Sequence, residues 1–344
     1  LPIFGQGVIP AAGSTANELS AFTRRAFVPY MYVQLYNSSP FMATLLANSQ
    51  YATGGVSSVT VPVQGASLVA GGWSDYSGTF QQPANLNGGL NLEFNLKLFI
   101  TPIPFLGMEG AVQMDHAIIP LIKARMNDST NFAMDTFSST IFNNTGSSTP
   151  TYGGTQGFIG LPAAIDDGTN QTTYGNQSRT TNTWLKSKVY AAGSVNPTRQ
   201  NVLQYIAGVC KLGGEMPTMG VMGLGTWALL AQDFQATEQI MITPGNSGFD
   251  DGAEGPRSAF RGLLIAGVPI FADPYCPEGT LYLINDNYLN LYVHKACNFA
   301  FTGFESTLSN WQVGYVGAVL TLAELVSAKP KTMGRVGSYN YLSI

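Results

Sequence analysis

The sequence predicts an α+β protein, and three patterns carry that reading. Leu90, Leu92, Phe94, Leu96 and Leu98 alternate with polar residues, the period of a strand with one buried face. Thr130, Met134, Phe137 and Ile141 recur at helical spacing and continue a face begun by Met114, Ile118, Leu121 and Ile122. Beyond residue 262, short apolar runs separated by turn residues read as successive strands.

Taken in order, residues 1–18 are rich in Gly, Pro and Ala and read as an extended arm. Phe22 and Ala26, then Phe41 and Leu45, are spaced by four, but Pro29 and Pro40 prevent one continuous helix. Val56, Val59, Val61 and Val63 form a strand that pairs with the Leu90–Leu98 run across a Gly-rich centre, making a long β-ribbon. A two-stranded ribbon is marginal alone in water. Trp73, Tyr76 and Phe80 near its tip are therefore expected to anchor it on a neighbouring subunit, or else to close a small cluster of its own. Gly107 to Asn143 reads as the longest helix, with Pro120 kinking it or marking its first turn. A Gly/Ser/Thr/Asn-rich loop follows from 146 to 185. A second helix starts at Asn196-Pro197, buries Val202, Tyr205, Ile206, Val209 and Leu212, and stops at Gly213-Gly214. Met219–Met222 is a short strand and Thr226–Phe234 a short helix. Strands then follow at Ile240–Thr243, Leu263–Ala266, Val268–Ala272, Leu281–Ile284 and Leu289–Val293. Phe299–Phe304 and a long apolar run from Val313 to Val326 lead to Lys329-Pro330. No internal repeat is visible.

Composition narrows the function classes. Charged residues make up 10% of the 344, against roughly 25% in an average soluble protein. A chain this poor in charge is either a Ser/Thr-rich extracellular β protein or one whose surface is spent in contacts, since interface cores are depleted of charge in the same way. Net charge is -4 and no basic run occurs, which argues against a dedicated nucleic-acid binder but not against a container for nucleic acid. Cys210, Cys276 and Cys297 form no disulfide framework, so a reducing compartment is expected. No apolar stretch is long enough for a transmembrane helix. Leu1-Pro2-Ile3-Phe4 lacks a basic n-region and an initiator methionine, so no signal peptide is expected, and residues are expected to be missing ahead of it.

No candidate constellation for chemistry survives its context. Gly223-Leu224-Gly225-Thr226-Trp227-Ala228 fits a dinucleotide-binding loop, but the helix after it is short and the position for a ribose-binding acid is Asn246, so a structural turn is expected. Asp273, Cys276, His294 and Cys297 lack the paired short spacings of a zinc site. Two histidines, His116 and His294, and no nucleophile elbow argue against a catalytic triad. Asp250, Asp251 and Glu254 lack the alternation of a calcium loop. Triplets such as Asn170-Gln171-Thr172 follow from composition. No catalytic residue, cofactor or metal is expected.

The order of elements resembles the major capsid proteins of tailed bacteriophages with the Hong Kong 97-type fold. The local matches are Thr181-Asn182-Thr183-Trp184-Leu185 after Tyr174-Gly175, and the stretch from Asp273-Pro274 through Leu281–Asn285 and Tyr288-Leu289 to Pro330. The resemblance implies an N-terminal arm at 1–50, an extended β-ribbon loop at 51–105 and the spine helix of a peripheral domain at 106–149. It further implies an axial domain at 150–293 and C-terminal strands of the peripheral domain at 294–344. Many copies would assemble as pentamers and hexamers into an icosahedral shell, in the host cytoplasm, around double-stranded DNA bound without sequence specificity. Scaffolding and portal proteins are the implied partners, no membrane is involved, and the virion is the implied location. Glycines 71–72 and 153–154 would serve as hinges between environments. Some relatives cross-link through a lysine in the extended loop. Here the tip from Gly71 to Gly89 has none and Lys97 sits on the strand, so no cross-link is expected. Two rival readings remain: a cellular nanocompartment shell of the same fold, and a Ser/Thr-rich β binding module such as a fibre protein.

Overall fold

Pro40 cannot continue a helix from its N-terminal side but suits the first turn. Ser39 supplies the cap, its Oγ accepting the Met42 amide at 3.0 Å. Helix α1 (Pro40–Ala47) follows and buries Phe41, Met42 and Leu45. The computed structural model describes residues 39–52, 57–64, 89–106, 118–143, 157–237, 263–306 and 314–343. The readings of an arm, of a strand at Ile240–Thr243 and of a ribbon tip lie outside them.

After β1 (Gln50–Ala52), strands β2 (Ser58–Gln64) and β3 (Gly89–Asn95) pair antiparallel as the predicted ribbon. Val59, Val61 and Val63 face Phe94, Leu92 and Leu90, so the apolar residues of both strands share one face. The sequence reads Leu90 to Leu98 as a single strand, whereas the structure breaks it at Leu96. Strand β4 (Lys97–Leu106) begins there, leaves β2 and slips the burial phase by one residue. Leu92 and Phe94 are buried, Leu98 and Ile100 are 51% and 49% exposed, and Thr101 and Ile103 are buried again.

Helix α2 (Ile118–Asn143) buries Thr130, Ala133, Phe137 and Ile141. Pro120 falls in its first described turn. Phe137 meets Phe99 of β4 edge-on at 6.0 Å. A short helix α3 (Leu161–Ala164) and a small hairpin of β5 (Thr173–Tyr174) and β6 (Gln177–Ser178) lead to β7 (Lys188–Val195).

Helix α4 (Arg199–Gly213) starts later than Asn196-Pro197 suggests. Thr198 is the cap, accepting the Asn201 amide, while Asn196 is taken by the side chain of Asn340 at 2.8 Å. Its end at Gly214, left-handed with φ of 78°, follows the glycine signal. Then come β8 (Met219–Met222), α5 (Leu224–Thr237), β9 (Leu263–Ile265), β10 (Val268–Ala272), β11 (Leu281–Ile284) and β12 (Leu289–His294). The chain closes with β13 (Ala300–Phe301), β14 (Glu305–Ser306), β15 (Gly314–Ser327) and β16 (Gly334–Tyr339).

Two sheets organise these strands. In the first, β15 is the hub: it pairs with β12, β13, β14 and β4, and β12 also pairs with β1. The second runs β7-β16-β11-β8-β10-β9. One face of the second sheet packs Met222, Ile270, Leu281 and Leu283 against Val202, Ile206 and Val209 of α4 and Leu230 of α5. Its other face turns Met219, Val221, Tyr282 and Ile284 into the core shared with α1, α2 and the first sheet. All four β11 residues are buried because both faces are covered. Residues 294–344 do not stay together. The turn Pro330–Thr332 redirects the chain after β15, and β16 joins the second sheet, parallel to β7.

Candidate functional site

The root of the ribbon has the most elaborate side-chain geometry. Gly175 and Asn176 have φ of 56° and 61°, the two left-handed positions of a tight hairpin turn. That turn lies flat on the ribbon. A Cβ on Gly175 would sit 2.8 Å from Leu92 Cβ, so only glycine permits the approach. The Glu93 amide donates to Gly175 O at 3.1 Å, Asn176 Nδ2 to Glu93 Oε2 at 3.3 Å, and Gln177 Nε2 to Asn91 O at 3.4 Å. Tyr174 packs edge-on against Phe94 at 5.0 Å, and its hydroxyl accepts the Ser327 amide at 2.8 Å, joining ribbon to hub strand. Burial drives that phenol well above its ordinary range.

Arg179 fixes the hairpin from beneath. Its side chain is fully buried, with the guanidinium 4.9 Å from the centre of the Tyr174 ring. It donates to the carbonyls of Leu185 (3.2 Å), Gln171 (3.1 Å), Ala163 (2.8 Å) and Ala164 (3.0 Å). Asp166, equally buried, stands 3.9 Å away and accepts the amides of Gly168, Asn170 and Gln171 and the Asn170 side chain. These bonds tie a polar loop together as a platform against which the hairpin and the root of the ribbon rest. Sequence reading missed Arg179 and Asp166. The available signal was Asp166-Asp167-Gly168-Thr169-Asn170, a run suited to side-chain-to-backbone turns.

Below the ribbon, β4 and β15 present an apolar outer surface. Exposed Leu98 and Ile100 lie opposite Leu322 and Leu320, and Val316, 40% exposed, lies opposite Pro104.

The other described sequence candidates are engaged by local partners. Glu278 occupies the start of α5: its carboxylate accepts the amides of Gly225 (3.0 Å) and Thr226 (3.1 Å) and the Thr226 hydroxyl (3.1 Å). The glycine of the apparent dinucleotide loop is explained by this neighbour, since a Cβ on Gly223 would meet Glu278 Oε2 at 2.7 Å. An internal carboxylate thus uses the helix N-terminus that a pyrophosphate would need. Asp273 accepts the Tyr275 amide at 2.9 Å, His294 Nδ1 accepts the Ala296 amide at 3.2 Å, and burial pushes the Cys276 thiol well up. Among the described residues no three of His, Cys, Asp and Glu gather to hold a metal ion. The described thiols Cys210, Cys276 and Cys297 are free. No helix among the described residues is long and apolar enough to cross a membrane. Trp73, Tyr76, Phe80, His116, Asn246, Asp250, Asp251, Glu254 and the glycines at 71–72 and 153–154 lie outside the described residues.

Comparison with known proteins was made by sequence and by structure. No family model and no curated protein matches the sequence. Solved structures do match the fold. The capsid asymmetric unit of cyanophage A-1(L) superposes with a TM-score of 0.62 at 13% identity, covering 87% of this chain and 92% of that one. The capsid of Myoviridae phage XM1 gives 0.52 at 12% identity, covering 86% and 91%. The SrpI encapsulin of Synechococcus elongatus PCC 7942 gives 0.51 at 10% identity, covering 98% and 99%. A mixed α+β chain with this order of elements, matched over most of its length and most of theirs, has the fold of bacteriophage capsid proteins.

Proposed function

We propose that this chain is a major capsid protein that self-assembles into an icosahedral shell around double-stranded DNA. The observation that carries the reading is the agreement of fold over 87% of the chain with a phage capsid subunit. A 10% charged fraction and the exposed apolar face of β4 and β15 support a surface spent in contacts between copies. On this reading 1–50 is the arm, the extended loop of 51–105 is narrowed to β2, β3 and the residues between them, and α2 is the spine of a peripheral domain built on the first sheet, which β4 joins. The second sheet with α4 and α5 is the axial domain, lying mainly in 150–293, with β12 and β16 crossing over. The subunits form pentamers and hexamers in the virion, assembled in the host cytoplasm with scaffolding and portal proteins. Trp73, Tyr76 and Phe80 anchor the loop on a neighbour. The subunit itself catalyses nothing.

A nanocompartment shell enclosing protein is the second reading, favoured by the encapsulin match along 98% of the chain. Sedimentation with negative-stain imaging of the same sample tests both. Closed shells hundreds of ångströms across support the class, and their contents, nuclease-protected DNA or protein, choose between the two. A monomer with a radius of gyration of about 20 Å in the presence of its natural partners overturns both. Replacing Trp73, Tyr76 and Phe80 together with Ser is expected to block shells while leaving the subunit folded. Normal shells from that variant remove the anchoring role.

A further inference from the structure

Glu324 lies on the hub strand β15 with none of its surface exposed. Its Oε1 accepts the Ile159 amide at 2.6 Å, and its Oε2 accepts no hydrogen bond. Ile159 belongs to the strap Gly157-Phe158-Ile159-Gly160, which leads from the side of α2 into α3. Phe158 packs on Phe137 of α2 at 4.9 Å, so the strap touches α2 and β15 at once. A dry carboxyl with one oxygen unsatisfied is an unusual thing to place under a glycine-flanked strap, because burial penalises its ionised form more than its few partners relieve it.

We propose that Glu324 is a proton-operated latch, which when neutral holds the strap 157–160 against β15 and when ionised releases it. Among the described residues, three charged or titratable groups bear on it. Lys97 on β4 lies close enough to favour the ionised form, and Tyr174 on β5 interacts with it electrostatically. Tyr292 on β12 is its cross-strand partner. The strap itself brings no titratable side chain. Burial outweighs the Ile159 amide, Lys97 and the Leu325 amide and pushes the carboxyl up to about 8. Ionisation in place is disfavoured, and the charge is relieved by admitting water, for which lifting the strap is the short route. The sign follows: the strap is held most tightly below about 4.5, opens progressively more easily as pH rises to about 8, and changes no further above it.

Hydrogen–deuterium exchange on the full chain, corrected for the intrinsic pH dependence of exchange, tests this between pH 5.5 and 9.5. Protection of peptides covering 157–160 is expected to fall at least about tenfold across that range, while peptides covering β11 hold steady. Glu324→Gln is expected to abolish the pH dependence. Lys97→Met, on a partly exposed residue, removes the nearby cation and is expected to move the transition to higher pH. It keeps the test decisive should the Gln variant fail to fold. Flat protection in the unmodified chain, the same dependence in Glu324→Gln, or an unmoved midpoint in Lys97→Met overturns the latch.

Discussion

Replacing Arg179 with Met is the sharpest test of the platform beneath the ribbon. The substitution keeps most of the side-chain volume but removes every donor. The carbonyls of Leu185, Gln171, Ala163 and Ala164 lose this partner, and Asp166 keeps a buried charge without its counter-ion. Removing one member of a buried pair costs about 3–5 kcal/mol, against about 0–1 for an exposed one. The full burial of both side chains places this pair in the first class, so a loss of about 4 kcal/mol is expected. Urea unfolding reads it as a lower midpoint at unchanged slope. A second change, Asp166→Asn in the same chain, removes the stranded charge and is expected to recover part of the loss. Amide exchange should also quicken at Glu93, whose N–H is held by Gly175 on the platform. A loss below about 1 kcal/mol, with Glu93 unaffected, refutes the claim that a buried cation sets the ribbon's root.

Three further outcomes are expected. Gly175→Ala strains a backbone at φ of 56° and drives a methyl against Leu92, costing about 1–3 kcal/mol in thermal or urea unfolding; an unchanged midpoint contradicts it. Glu278→Ala empties the start of α5, costs about 1–3 kcal/mol, and confers no dinucleotide affinity by calorimetry; measurable binding would reopen the loop as a site. Stability should fall as pH rises from about 4.5 to about 8 and then level off, because the folded chain keeps the Glu324 proton that the unfolded chain releases. At about 1.4 kcal/mol per pH unit the decline reaches at most about 5 kcal/mol, and a Glu324→Gln chain lacking the same slope confirms the group.

Much of the fold is legible in one dimension because its signals are local. Val268–Ala272 and Leu281–Ile284 are strands with the predicted limits, since short apolar runs between turns need only neighbours on both faces. The end of α4 follows from a glycine that alone tolerates a left-handed backbone there. Its start was misplaced by two residues because Asn196 and Thr198 are both good caps, and Asn340, far along the chain, engages the first. The break at Leu96 was invisible for a related reason: the alternation runs on from Leu90 to Leu98 across the end of β3 and the start of β4, and only the change of partner from β2 to β15 separates them.

What the sequence determined by itself, then, is the class and order of elements, the shortage of charge and the absence of a persuasive catalytic motif. These depend on periodicity and composition, which sum over neighbouring residues. Only the tertiary structure decided that Glu278 fills the apparent nucleotide loop, that Arg179 and Asp166 meet beneath the ribbon, and that Glu324 is sealed under Ile159. Burial and pairing of polar groups depend on residues brought together from distant parts of the chain, as Glu324 and Ile159 are across 165 positions. No local pattern records the desolvation that gives each of these groups its consequence.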